Sequence, residues 1–256
     1  MATVGVQPSI RGYILKHLLE TLRDTPTHDA PFSHFYIENV FPDGIYEQLL
    51  ELLPDPSLYR PLSINKHYNE TGRSTRDVLP LTEAERLAPM PPPQREFWQA
   101  ICAALTSPEV KSLVFQKLAT DLSARFGVRR EEVDRVVSYC KPSLLRDLDS
   151  YEIVPHPDGR AKIVTMQLYL PRDRSQLELG TALYRRRLHS LKGLYNWQGR
   201  FEKVKQFSFQ PNSGYAFAVS NAWNKKSWHG REALPSGSGV RNTLMNLYFA
   251  SDDRTY

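Results

Sequence analysis

His156 and Asp158 stand two residues apart in the stretch EIVPHPDGRAKIVTMQLYLP, directly before a long apolar segment. Side chains at i and i+2 of an extended backbone point to the same face. An imidazole and a carboxylate paired in this way make half of a metal site, and a third ligand has to arrive from elsewhere. His229, in NKKSWHGREALPSGSGVRNTLMNLYF, is the candidate. Twelve residues beyond it, Arg241 opens a strongly β-prone segment. Its guanidinium is the planar cation that matches a carboxylate with two hydrogen bonds.

These residues can meet only if distant strands share one cavity, and the second half of the chain is patterned for that. After Gly127 the segments DRVVSYCKP, LLRDLDSYEIVPH, AKIVTMQLYLP, LGTALYRRR, FEKVKQFSFQP, SGYAFAVS, KKSWHG and VRNTLMNLYFA read as eight short strands parted by Pro, Gly, Asn and Ser. Eight strands suit a jelly roll of two Greek keys, in which the last strands lie beside the first. The first half reads mostly helical. SIRGYILKHLLETLRD carries apolar residues at helical spacing, PDGIYEQLLELLP and PPPQREFWQAICAALT follow, and SPEVKSLVFQKLATDLSARFG opens on Ser-Pro-Glu and ends on Gly127. FSHFYIENV is a lone strand among them. The expected fold is α+β: one domain over 1–256, with a helical support at 1–127 packed on one sheet of a cupin-like jelly roll at 128–256.

The composition narrows the function classes. A chain of 256 residues with 41% hydrophobic and 24% charged residues can bury a core that needs no disulfide or structural metal. Cys102 and Cys140 are the two cysteines, too far apart for a zinc cage or a disulfide framework. A net charge of +5 mildly favours anionic small molecules and lacks the concentrated basic face of a nucleic-acid binder. No segment has the length and apolarity of a membrane span or a secretory leader, so the expected location is cytoplasmic.

Two histidines and a carboxylate with open coordination positions form the facial triad of non-haem Fe(II) oxygenases. The C-terminal half, from about Val133 to Ala250, resembles the double-stranded β-helix of the Fe(II)/2-oxoglutarate-dependent oxygenases. That family pairs H-x-D with a distal His, and then an Arg or Lys about one strand later. PFSHFYIENVFPDGIYEQLLELLP resembles the N-terminal strand and helix of its small members. The resemblance implies that His156, Asp158 and His229 bind Fe(II), and that Arg241, aided by Thr243, anchors the far carboxylate of 2-oxoglutarate. It further implies reaction with O2 that yields succinate, CO2 and an oxidised C–H bond. Related halogenases have a small residue in place of the carboxylate ligand, so the retained Asp158 favours hydroxylation over chlorination.

Tyr151, Gln167 and Tyr169 are expected on strands beside the metal, in reach of 2-oxoglutarate or substrate. Trp223, Trp228 and Asn246 are candidates to line the substrate pocket. The polar segment RPLSINKHYNETGRSTRDVLP, with Asn69, Glu70 and Arg76, reads as a substrate lid, and His28, His34, His67 and His189 receive no metal role. The expected partner is a small molecule such as an amino acid or a natural-product intermediate, with the helical half available as a homodimer interface. Competing readings keep the chemistry on a protein side chain or nucleobase, exchange hydroxylation for desaturation or cyclisation, or make the barrel a non-catalytic binding module.

Overall fold

The structure, a computed structural model, describes residues 9–62, 72, 74–187 and 198–253. His67, Asn69, Glu70 and His189 lie outside the described residues. The N-terminal part carries α1 (Ile10–Asp24), β1 (Thr27–His28), β2 (His34–Glu38), α2 (Ile45–Glu51), β3 (Arg60–Pro61), β4 (Arg76–Pro80), α3 (Ala84–Leu87), α4 (Pro92–Leu105), α5 (Pro108–Lys117) and α6 (Ala119–Phe126). Then follow β5 (Tyr139–Asp147), β6 (Ile153–His156), β7 (Lys162–Tyr169), β8 (Ala182–Arg186), β9 (Phe201–Gln206), β10 (Ser213–Ala218), β11 (His229–Arg231) and β12 (Arg241–Phe249).

The last eight strands divide between two sheets, crossing from one to the other at every step except β8 to β9. One sheet runs β1-β2-β10-β7-β12-β5-β4-β3 and the other β6-β11-β8-β9. Strands β5, β7, β10 and β12 thus lie in the larger sheet, and β6, β8, β9 and β11 in the smaller one. This interleaving is a double-stranded β-helix, and it sets β12 between β5 and β7. The so-called helical half also supplies β1 to β4, which extend the larger sheet at both edges.

Strand parity divides the residues of the larger sheet. Val164, Met166, Leu168, Leu244 and Tyr248 join one core cluster with residues of α1, α4, α5 and α6. Ile14, Leu18 and Leu22 supply the buried stripe of α1, spaced by about one helical turn. Thr165, Gln167, Arg241, Thr243 and Met245 have the opposite parity and face the other sheet. Two elements depart from the sequence expectations. The long α-helical segment breaks at Leu118, whose φ of −101° and ψ of 15° end α5 and begin α6. Its expected caps are in place: the Ser107 hydroxyl accepts from the Val110 N–H, and Gly127 is left-handed at φ 65°. Strand β5 runs unbroken through Pro142, which pairs with Asn246. DRVVSYCKP and the start of LLRDLDSYEIVPH are therefore one strand, after a 3-10 turn over Arg130–Arg135.

His34 is buried on β2, with its pKa pushed down to about 4 mainly by burial. An unfolded chain takes up this proton below 6.5, whereas the folded protein holds it off until about 4. Stability should therefore fall as pH drops through that window. Thermal melts of the metal-free protein should show Tm declining below pH 6.5, with a smaller decline in His34→Phe; equal slopes in both proteins would exclude His34 as a source.

Candidate metal centre

His156 and His229 are direct cross-strand partners, so they project from one face, with ring centroids 4.4 Å apart. Simple alternation would put Ile153 and His156, three residues apart, on opposite faces. The register shifts between His229 and Arg231, which pairs with Ile153. This bulge on β6 turns both Ile153 and His156 into the cavity. Gly230 faces the bulge, where a Cβ would lie 2.6 Å from the Ile153 carbonyl oxygen. No other residue allows so close an approach of the two backbones. Asp158 follows β6, and one ligand atom from each of His156, Asp158 and His229 lies within 4.8 Å of the other two.

The tautomers are fixed by carbonyls, which can only accept. His156 Nδ1–H donates to Val154 O and His229 Nδ1–H to Ser227 O, each at 3.0 Å. Both Nε2 lone pairs are thereby left for a metal. Burial, reinforced by the neighbouring His229, pushes the His156 pKa down to about 3. Burial lowers His229 as well. For Asp158 burial acts upward, but Lys162, His229 and His156 together hold the carboxyl below its ordinary range. Lys162 Nζ donates to Asp158 Oδ1 at 2.6 Å and Thr165 Oγ1 to Oδ2 at 2.7 Å. Two neutral imidazoles and one carboxylate are thus presented together, the donor set that Fe(II) takes in a facial triad.

The remaining polar groups are ordered along β7. Thr165 holds Asp158; Gln167 donates to Thr243 Oγ1 at 2.9 Å and accepts from the Tyr215 hydroxyl at 2.9 Å. Tyr169 lies beneath Arg241, whose guanidinium carbon is 5.2 Å from its ring and 4.4 Å from that of Phe209. Thr243 accepts from Gln167, which leaves its own O–H to donate elsewhere. Arg241, 1% exposed, gives Nη1 to Asp147 Oδ2 at 2.7 Å and Nε to Leu179 O at 2.8 Å. Its Nη2 is buried and has no hydrogen-bond partner. A buried guanidinium nitrogen without an acceptor is destabilising, and an oxygen of a bound anion is the acceptor that suits it.

The structure therefore gathers His156, Asp158, His229, Arg241, Tyr151, Gln167 and Arg76 around one cavity of about 60 Å³, with Thr243 and Tyr169 adjoining. Tyr151 reaches it from the β5–β6 connection rather than from a strand. Arg76 is no lid residue: it opens β4 and clasps Asp147 with Nε at 2.6 Å and Nη2 at 3.2 Å. Three expectations fail. Trp228 precedes His229 and so faces away from the cavity, packing 4.7 Å from the Phe201 ring on the outer side of the smaller sheet. Trp223 is 90% exposed. Asn246 has the parity opposite to Arg241 and Thr243, and turns to the helices, where it meets Cys140 Sγ at 2.9 Å and Leu105 O at 3.4 Å. Asn246→Ala should therefore cost about 1–2 kcal/mol of stability, read in a denaturant melt, and leave metal binding unchanged. Weakened metal binding at unchanged stability would return Asn246 to the cavity.

Residues that the sequence did not flag complete the site. Asp147 on β5 faces Arg241 on one side and Arg76 on the other, and its carboxyl is held down to about 2: burial acts upward, and Arg76 and then Arg241 overcome it. Arg231 stands two residues after His229 on the same face, a relation that the i, i+2 rule could have found. Among the described residues no helix is long and apolar enough to cross a membrane.

No family model matches the chain, and no curated protein matches it. Solved structures do. The non-heme alpha ketoglutarate dependent epimerase SnoN from nogalamycin biosynthesis is 10% identical, with a TM-score of 0.48, 92% of this chain and 82% of that chain covered. A prolyl-4-hydroxylase from Pseudomonas putida is 12% identical, with a TM-score of 0.48 and coverage of 92% and 98%. The dioxygenase for auxin oxidation 1 from Arabidopsis thaliana, in its 2-oxoglutarate complex, is 12% identical, with a TM-score of 0.47 and coverage of 100% and 84%. At such identities the functional reading rests on the site itself.

Proposed function

We propose that this chain is an Fe(II)/2-oxoglutarate-dependent dioxygenase that hydroxylates an unactivated C–H bond of a small molecule. The observation that carries the reading is the convergence of His156, Asp158 and His229 with an Arg241 whose buried Nη2 lacks an acceptor. When bound, iron and 2-oxoglutarate supply the oxidising chemistry: the substrate, O2 and 2-oxoglutarate become hydroxylated product, succinate and CO2. The chain's own part is to hold and orient. His156 and His229 offer Nε2, each ring fixed by its Nδ1–H bond to a carbonyl. Asp158 completes the metal face, and Lys162 and Thr165 set the plane of its carboxylate. Arg241 Nη2 and the Thr243 hydroxyl would hold the distal carboxylate of the cosubstrate, with Gln167 donating to Thr243 Oγ1 and itself fixed by the Tyr215 hydroxyl. Tyr169 and Phe209 wall the Arg241 end with rings and exclude water, which strengthens the charge pair there. Tyr151 and Arg76 complete the cavity wall.

The retained Asp158 supports hydroxylation over halide transfer. The test is an anaerobic titration of metal-free protein with Fe(II) and 2-oxoglutarate. A visible metal-to-ligand charge-transfer band is expected in the wild type and absent in His156→Ala. A folded wild-type protein that takes up no iron and shows no band would overturn the reading.

A further inference from the structure

Two buried arginines in the cavity wall have no carboxylate of their own. Arg76 takes both oxygens of Asp147 and accounts for that charge. Arg241 shares the same carboxylate through one nitrogen. Arg231, 6% exposed, donates Nη2 to Tyr151 O at 2.7 Å and Nη1 to Glu232 O at 3.1 Å. Among the described residues it makes no salt bridge, since the Glu232 carboxylate pairs with Lys203. Its guanidinium stands 4.6 Å from the centre of the Tyr151 ring. The two carbonyl oxygens take two of its five N–H groups and none of its charge, and the counter-charge that reaches it, Asp147, is already shared by Arg76 and Arg241.

On the reading proposed above, the charges can be paired in turn. The distal carboxylate of 2-oxoglutarate meets Arg241. Its other carboxylate and Asp158 balance a divalent iron, while Lys162, part-exposed, is screened by solvent. Arg231 is left over. It lies on β11 with the same parity as the iron ligand His229, so an anion resting on it would hold the rest of a molecule against the metal. We infer that the substrate is a carboxylic acid whose carboxylate docks on Arg231. Arg231 is thereby a specificity-determining residue, distinct from the cosubstrate anchor Arg241.

The inference rests on the iron and 2-oxoglutarate reading, and its test separates the two. Zinc-loaded protein saturated with 2-oxoglutarate is titrated with acetate, propionate and butyrate and with the three corresponding amides, and Tm is read. The acids should raise Tm and the amides should not. Arg231→Met should lose the response or need on the order of tenfold more acid, and Arg231→Lys should recover part of it. The Fe(II) form of Arg231→Met should still give the 2-oxoglutarate charge-transfer band at wild-type cosubstrate concentrations. Equal responses to acids and amides, no response to any acid, or a response that survives Arg231→Met would each overturn the inference. So would a tenfold loss of 2-oxoglutarate affinity in Arg231→Met, which would make Arg231 a second cosubstrate anchor. A wild type without the band would instead overturn the iron reading, and the same acid titration of metal-free protein would still decide whether Arg231 takes a carboxylate.

Discussion

Asp158→Ala is expected to abolish turnover and the charge-transfer band together, while the protein stays folded. Removing the carboxylate leaves two neutral imidazoles, too few to hold iron against water, so metal affinity should fall by more than about 100-fold, beyond the range for second-layer partners. The fold should survive because Lys162, the partner that loses its counter-charge, is part-exposed and can turn to solvent. His156→Ala and His229→Ala should behave alike. Thr165→Val, one layer out, should weaken iron by about 10- to 100-fold without removing the band at high iron. Equilibrium dialysis against iron, paired with thermal melts, reads all four. Full activity in His229→Ala would show that the distal ligand is another residue.

The second large effect concerns the cosubstrate. Arg241→Met should leave iron affinity unchanged and weaken 2-oxoglutarate by about 2–4 kcal/mol, roughly 30- to 1000-fold, as expected when a buried charge-paired hydrogen bond loses one partner. The loss should appear in the KM for 2-oxoglutarate, with kcat recovering at saturation. The variant should fold, because Arg76 continues to hold both oxygens of Asp147. Thr243→Val should show the same signature more weakly, since Thr243 contributes one neutral hydroxyl. Unchanged 2-oxoglutarate affinity in Arg241→Met would reduce Arg241 to a structural partner of Asp147.

Local spacing carried the site as far as local rules reach. The i, i+2 relation joined His156 to Asp158, and the alternation of strands with turns placed His229 and Arg241 near the ends of strands that close one barrel. The same parity, applied consistently, turns Asn246 and Trp228 away and brings Arg231 in: the first two were legible and misread, and the third was legible and passed over. Asp147 was not legible, because its importance comes from the pairing of β5 with both β4 and β12, and register between distant strands is not a local property. The bulge at β6 is likewise set by its partner strand. Pro142 looked like a strand end, yet β5 passes through it because a residue without an N–H is tolerated where the ladder does not need that donor.

The close approach at Gly230 means that the bite of the two imidazoles is set by a gap between backbones rather than by the reach of the side chains. A methyl group there cannot be absorbed by rotating a rotamer, since what it meets is the Ile153 carbonyl. Gly230→Ala would pry β11 from β6 and widen the spacing of His156 and His229, leaving every ligand side chain present but His229 drawn away from the other two. A residue with no side chain to contribute is thus, in its consequences, as much a part of the candidate metal centre as the histidine it follows.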